Sequence, residues 1–141
     1  MKRFLLITLV VFSMFGVSCN AQSPERTTTA VTSNNDVEVY YFHYTIRCVT
    51  CTTIEAEARM NVEMLYANQV KNGNVSFTAL NIEEANGKSV SERLGVSGQT
   101  LLIVKGDKKI NITNEGFLYA VAKPDKFREV MKSKIDPLIK E

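Results

Sequence analysis

Cys48-Val49-Thr50-Cys51 is the arrangement in this chain whose residue types and spacing could do chemistry. Two thiols three residues apart can close a small disulfide ring, reopen it, and hand the electrons to other thiols. Their flanks suggest how they are held. Val37-Glu38-Val39-Tyr40-Tyr41-Phe42-His43 is rich in the β-branched and aromatic residues of strands. Thr52-Thr53-Ile54-Glu55-Ala56-Glu57-Ala58-Arg59 reads as helix. A cysteine pair at a strand-to-helix junction is the setting that makes thiols reactive.

At a helix start, free backbone N–H groups carry partial positive charge and favour a thiolate. Cys48, in the first turn and facing solvent, is therefore the expected nucleophile, with Arg47 beside it as a second stabiliser of the anion. Cys51, one turn later on the same side, is the expected shielded thiol that resolves a mixed disulfide by attacking Cys48. The redox group is then the cysteine pair itself, with no other cofactor expected. Two thiolates could instead capture a soft ion such as Cu(I) or trivalent arsenic, and this binding module is the rival reading. A redox-inactive interaction domain is the third. Zinc is not expected, since four ligands are usual and His43 is the one histidine. His43 reads either as a strand-end residue capping the sheet or as a partner of the Cys48 thiolate. Met60 and Met64, four apart, read as core packing rather than as metal ligands. Lys105, Lys108 and Lys109 read as a solvated turn, and Tyr40, Tyr41, Phe42 and Tyr44 as core and rim aromatics.

The elements that must position the pair follow from periodicity. After the first strand, a long helix is expected from Cys48 to about Asn72, with Ile54, Ala58, Val62 and Leu65 as its inward stripe. Asn72-Gly73-Asn74 stops it. Val75–Leu80 alternates as a strand, and Ser89–Leu94 reads as a shorter helix ending at Gly95. Thr100–Val104 is a buried strand, turned at Gly106-Asp107 into an antiparallel partner over Lys109–Ile112. Asp125–Lys140 is an amphipathic helix expected to bend or break at Pro137. The order β-α-β-α-β-β-α implies a thioredoxin-like three-layer α/β/α sandwich with a central mixed four-stranded sheet. An extra N-terminal edge strand near Thr28–Val31 is an open alternative.

Composition narrows the setting. Lys2 and Arg3 precede an apolar run over Phe4–Val17, too short for a comfortable membrane span, so residues 1–21 read as an export signal. Cleavage after Ala21 would free a soluble chain from Gln22. Cleavage before Cys19 would leave a lipid-modified cysteine, which would account for the one cysteine outside the pair. Residues 22–35 are polar and aperiodic and read as a tether. Residues 36–141 form one domain, which is all that about 120 mature residues support. Without Lys2 and Arg3, the 17 basic residues fall to 15 against 15 acidic ones. That balance, with no stacking motif, points away from nucleic acid. An exported chain with one close pair is not a disulfide-stapled scaffold. A periplasmic monomer is expected, with an anchor at Cys19 under the second processing outcome.

From Asp36 to Lys140 the chain resembles the thioredoxin-like superfamily. It departs from thioredoxin at Val49-Thr50, which replace Gly-Pro, in lacking a tryptophan before the first cysteine, and at Gln99, where that family carries a cis-proline. Gln99 and Thr100, with His43, are by this resemblance the residues that would meet a substrate. A narrower resemblance fits the departures. Tyr40-Tyr41-Phe42-His43, Arg47-Cys48, Thr50-Cys51 and Gly98-Gln99-Thr100-Leu101 are similar to the nitrophenyl compound nitroreductase subunit ArsF-type family of small exported bacterial proteins. That resemblance implies a redox partner in the handling of aromatic arsenicals, working beside a membrane permease or thiol-electron carrier and a reducible partner protein or substrate. Nothing in the sequence cradles a flavin or nicotinamide phosphate. A strongly oxidising relative with an inserted helical subdomain is disfavoured, because none fits between Asn72 and Gln99.

Overall fold

In a computed structural model of the chain, residues 36–140 are described. The expected signal segment, Cys19, the tether and the early edge strand all lie outside them. The described elements run β1 (Val37–His43), α1 (Val49–Leu65), α2 (Ala67–Lys71), β2 (Val75–Asn81), α3 (Ala85–Leu94), β3 (Thr100–Lys105), β4 (Lys108–Asn111), α4 (Thr113–Tyr119) and α5 (Pro124–Lys140).

The sheet order is β2-β1-β3-β4. β1 pairs parallel with β2, Val37 opposite Val75 and His43 opposite Asn81, and antiparallel with β3, Tyr41 opposite Leu101. β3 closes antiparallel on β4. Because side chains alternate across a strand, β1 feeds two cores at once. Val37, Val39 and Tyr41, with Leu101 and Ile103 of β3, pack against Ile54, Ala58 and Val62 of α1 and Phe127, Met131 and Ile135 of α5. Tyr40 and Phe42, with Leu102 and Val104, pack on the other face against Leu80, Val90 and Leu94. Burial on both faces explains why β1 and β3 read as nearly continuous apolar runs. Two helical layers around a mixed four-stranded sheet give the thioredoxin-like sandwich that the element order implied.

Three local expectations are corrected and a fourth, the solvated turn, is refined. The long helix is two helices, parted at Tyr66, whose backbone leaves the helical region at φ −126° and ψ 31°. The Tyr66 ring is buried, and its hydroxyl donates to Asp136 of α5 at 2.7 Å, so packing on α5 outweighs helical continuity there. α5 runs through Pro137 to Lys140 without interruption. Met60 and Met64 are exposed, at 44% and 53%, rather than in the core. They lie about 200° around α1 from the Ala58 and Val62 stripe. Of the turn lysines, Lys105 donates to the Leu138 carbonyl at 2.5 Å and Lys109 to the Leu94 carbonyl at 2.9 Å, so both tie the hairpin to helix ends.

α4 is an element the periodicity did not show. Its centre, Gly116, lies against Ile54 of α1, where an added Cβ would sit 3.2 Å from Ile54 Cγ2. Its start is set by Asn111, whose Oδ1 accepts from the Thr113 backbone N–H at 3.0 Å and from its hydroxyl at 2.6 Å. A second close approach fixes α3. A Cβ on Gly87 would fall 1.9 Å from the carbonyl oxygen of Asn81, the last residue of β2. Backbone cannot yield there as a side-chain tip can. Gly87→Ala is expected to destabilise the domain by about 1–3 kcal/mol, in the range of overpacking, read as a lower urea midpoint with unchanged slope; an unchanged midpoint would contradict the close packing of α3 on β2.

Candidate redox site

β1 delivers the chain to the end of the sheet, and Tyr44–Arg47 carry it across to α1. This connection is exposed, Ile46 at 93%, yet it is tied at one point. The Thr45 N–H donates to Glu83 Oε2 at 2.7 Å, and Asn81 Nδ2 donates to Thr45 Oγ1 at 2.9 Å. Asn81 Oδ1 in turn accepts from the Glu83 N–H at 3.0 Å. The loop before the cysteines is thus held by the loop after β2, the segment that α3 closes upon.

Cys48 is the N-cap of α1, with extended backbone (φ −81°, ψ 165°), and its Sγ accepts from the Cys51 N–H at 3.3 Å. A sulfur here takes the place of the usual capping oxygen. Cys48 and Cys51 are joined as a disulfide, Cα atoms 5.2 Å apart. Cys48 is exposed, whereas Cys51 lies on the inner stripe at 7% exposure.

Behind Cys51 stands a network the sequence did not disclose. The Tyr41 hydroxyl, from the middle of the sheet, donates to the Cys51 carbonyl at 2.9 Å. It accepts from Gln99 Nε2, and Gln99 Oε1 lies 3.5 Å from Cys51 Sγ. Burial pushes the Tyr41 hydroxyl up from its ordinary pKa, opposed by the Gln99 bond and by Arg47. The described peptide bonds are all trans, including that before Gln99. Tyr41 read in the sequence as a core aromatic. The signal that could have found its role is strand alternation, which aims residue 41 at the side where α1 must lie.

The other expected site residues are placed as follows. The Arg47 guanidinium pairs with Glu55, whose second oxygen pairs with Arg59 at 3.2 Å. A cation shared in this way offers a thiolate less than a free one. The Thr100 hydroxyl donates to the Gly98 carbonyl at 3.0 Å and so is engaged within its own turn. His43 Nδ1 is 2.9 Å from the Tyr44 carbonyl, which can only accept, so Nδ1 carries the hydrogen. Its ring lies 6.2 Å from that of Tyr41. Tyr44, Ile46 and Val49 expose apolar surface around Cys48, at 40%, 93% and 81%. Among the described residues, no group of three or more His, Cys, Asp or Glu is placed to hold a metal ion together.

No protein-family model matches the chain, and no curated protein does. Among solved structures it is similar to thioredoxin O2 from Arabidopsis thaliana in the oxidized state, at 20% identity and a TM-score of 0.47, over 70% of this chain and 75% of that one. It is also similar to a malarial protein, at 18% identity and a TM-score of 0.39, over 53% of this chain and 75% of that one. Sheet order and strand direction, rather than these partial superpositions, define the fold.

Hydrogen bonding to Thr45 holds the Glu83 carboxyl below its ordinary pKa. A carboxyl lowered in the folded state supports that state above its unfolded pKa and loses the contribution as pH falls through the lower folded value. Exchange protection of the Thr45 amide is therefore expected to persist at neutral pH and to fall away in acid, below the ordinary glutamate range. In Glu83→Ala it should be missing throughout; protection that survives in that variant would sever this tie.

Proposed function

We propose that the chain is a thiol–disulfide oxidoreductase that works as an electron relay. The observation that carries this reading is the pairing of an exposed, helix-capping Cys48 with a shielded Cys51 in one disulfide. The α1 N-terminus favours the thiolate of Cys48, with Arg47 beside it, and Cys48 attacks a partner disulfide. Cys51 then attacks Cys48 and releases the partner as a thiol. The apolar surface of Tyr44, Ile46 and Val49 would receive the partner, with His43 and Gln99 at its edge, while Thr100, buried and bonded to the Gly98 carbonyl, would shape the site from within. The cysteine pair itself is the redox group.

The setting we propose is export to the periplasm, with lipid attachment at Cys19 as one outcome of processing. There a membrane thiol-electron carrier or permease would keep the pair reduced, and a partner protein or reducible substrate would draw on it. The likeness of Arg47-Cys48, Thr50-Cys51 and Gly98-Gln99-Thr100-Leu101 to the ArsF-type nitroreductase subunit family supports a role beside arsenical chemistry. Within that role the chain would supply electrons rather than bind a nitro compound.

The test is equilibration of the full chain in thiol buffers of graded potential. A reversible two-electron couple is expected for the parent and none for Cys48→Ser. Cys51→Ser should accumulate a mixed disulfide with glutathione through Cys48. Ile46→Asp should slow reaction with a protein disulfide by about tenfold or more, the effect of about 1.4 kcal/mol, while changing reaction with a small disulfide much less. Absence of any reversible couple would overturn this reading and turn attention to stoichiometric capture of Cu(I) or trivalent arsenic by the two thiolates.

A further inference from the structure

The hydrogen-bond inventory behind Cys51 fixes which way Gln99 points. A phenol has one hydrogen, and Tyr41 spends it on the Cys51 carbonyl, which can only accept. Tyr41 can therefore meet Gln99 only as an acceptor, so the amide must present its NH2 group there. The opposite end, Oε1, is consequently turned to Cys51 Sγ at 3.5 Å. Exchanging the two ends would set one acceptor against another at Tyr41. In the disulfide this approach is a contact between sulfur and oxygen. On reduction, the same sulfur carries an S–H with an acceptor already in front of it.

We propose that Gln99, held by Tyr41, is a positioning residue that keeps the Cys51 thiol protonated in the reduced protein, so that ring closure waits on Cys51 losing its proton. The inference rests on the redox reading of the same pair. A hydrogen bond to the neutral form of an acid disfavours its ionisation, and burial of Cys51 acts in the same direction. Cys48 has the reverse environment, a backbone N–H at 3.3 Å and the helix start. The charged and titratable groups around Cys51 do not override this. On β1, burial keeps Tyr41 protonated, and the His43 ring stands 6.2 Å from it. Arg47 and Glu55 act on Tyr41 with opposite signs and are paired with each other. On the entry to β3, the Thr100 hydroxyl is engaged with Gly98. α4 meets α1 at Ile54 through Gly116, which has no charge.

The sequence of steps balances. The Cys48 thiolate attacks a disulfide RS–SR, forming Cys48–S–S–R and expelling RS⁻. Cys51 gives its proton to solvent, and its sulfur attacks Cys48 Sγ, forming the internal disulfide and expelling a second RS⁻. The chain loses two electrons and RS–SR gains them. Gln99 delays the second step and so lengthens the life of the mixed disulfide.

Stopped-flow reaction of the reduced full chain with 5,5′-dithiobis(2-nitrobenzoate) resolves the two steps as two releases of thionitrobenzoate. Cys19→Ser is placed in parent and variants alike so that the third cysteine is not read. The pH midpoint of the second release reports Cys51. Tyr41→Phe frees the amide to turn its NH2 group toward the sulfur, and the midpoint is expected to fall by about one pH unit. The rate at neutral pH should rise about threefold, tenfold more thiolate offset by about threefold lower nucleophilicity. Gln99→Glu keeps an acceptor and adds negative charge, so its midpoint should rise and its rate fall. If Tyr41→Phe does not fold, Gln99→Glu carries the test alone, since residue 99 is only half-buried. Midpoints that stay put, or a Gln99→Glu midpoint that falls, would overturn the role of Gln99. A parent that never releases the second equivalent would instead overturn the redox reading itself.

Discussion

The Tyr41 hydroxyl joins the middle strand of the sheet to the first turn of α1 and to the entry of β3. Burying such a group without partners costs about 1–3 kcal/mol on the scale of protein substitutions. Here both of its roles are filled, as donor to Cys51 and as acceptor from Gln99. A carbonyl has two lone pairs, so the Cys51 oxygen can take this bond in addition to its place in the helix. Three separate segments thus converge on one oxygen atom. The placement of the sulfurs against the sheet follows from that convergence as much as from apolar packing, which is non-directional.

The unequal exposure of the two cysteines has a backbone cause. Three residues on a helix span about 300°, which would set both side chains toward the same side. Cys48, however, is the cap, and its extended φ and ψ take it off the helical path and out to solvent. Cys51 is fully helical and joins Ile54 and Ala58 on the inner stripe. A CxxC pair at a helix start therefore differs from one placed mid-helix even before any neighbour acts on it. The tie from Thr45 to Glu83 and Asn81 holds the approach to that cap, so the β2–α3 loop also bears on the chemistry.

How much of this was legible depended on whether a local pattern carried it. β1, β3 and the α1 stripe were readable because burial of both strand faces, or of one helix face, leaves an unbroken periodicity. The CxxC junction was readable because its spacing and flanks agree. α4 was not, since a glycine at its centre and only seven residues give neither propensity nor period, and its reason for existing is contact with Ile54. The break at Tyr66 was hidden likewise, because the bond to Asp136 spans 70 positions. Met60 and Met64 show the limit of residue type, for an apolar side chain on the wrong helix face stays in water. Tyr41 shows the same limit at the site, where alternation aims its ring at α1 but no local pattern names the partners of its hydroxyl.

Gln99 links the disulfide to the Tyr41 anchor. At its place, a proline would offer a sulfur nothing but ring carbons and a backbone carbonyl. A glutamine offers one donor and one acceptor on a single rigid amide, long enough to bridge a tyrosine and a cysteine. Once Tyr41 has fixed the donor end, the acceptor end is committed to Cys51. The consequence distinguishes exchange from capture. Binding a soft ion with two thiolates requires both thiols to have given up their protons at the same time, whereas exchange takes them one after the other, that of Cys48 before the first attack and that of Cys51 before the second. A site whose amide delays the ionisation of Cys51 works against capture, which needs both thiolates together, and slows exchange only at its second step; Tyr41, whose hydroxyl ties helix to sheet, is what sets that amide.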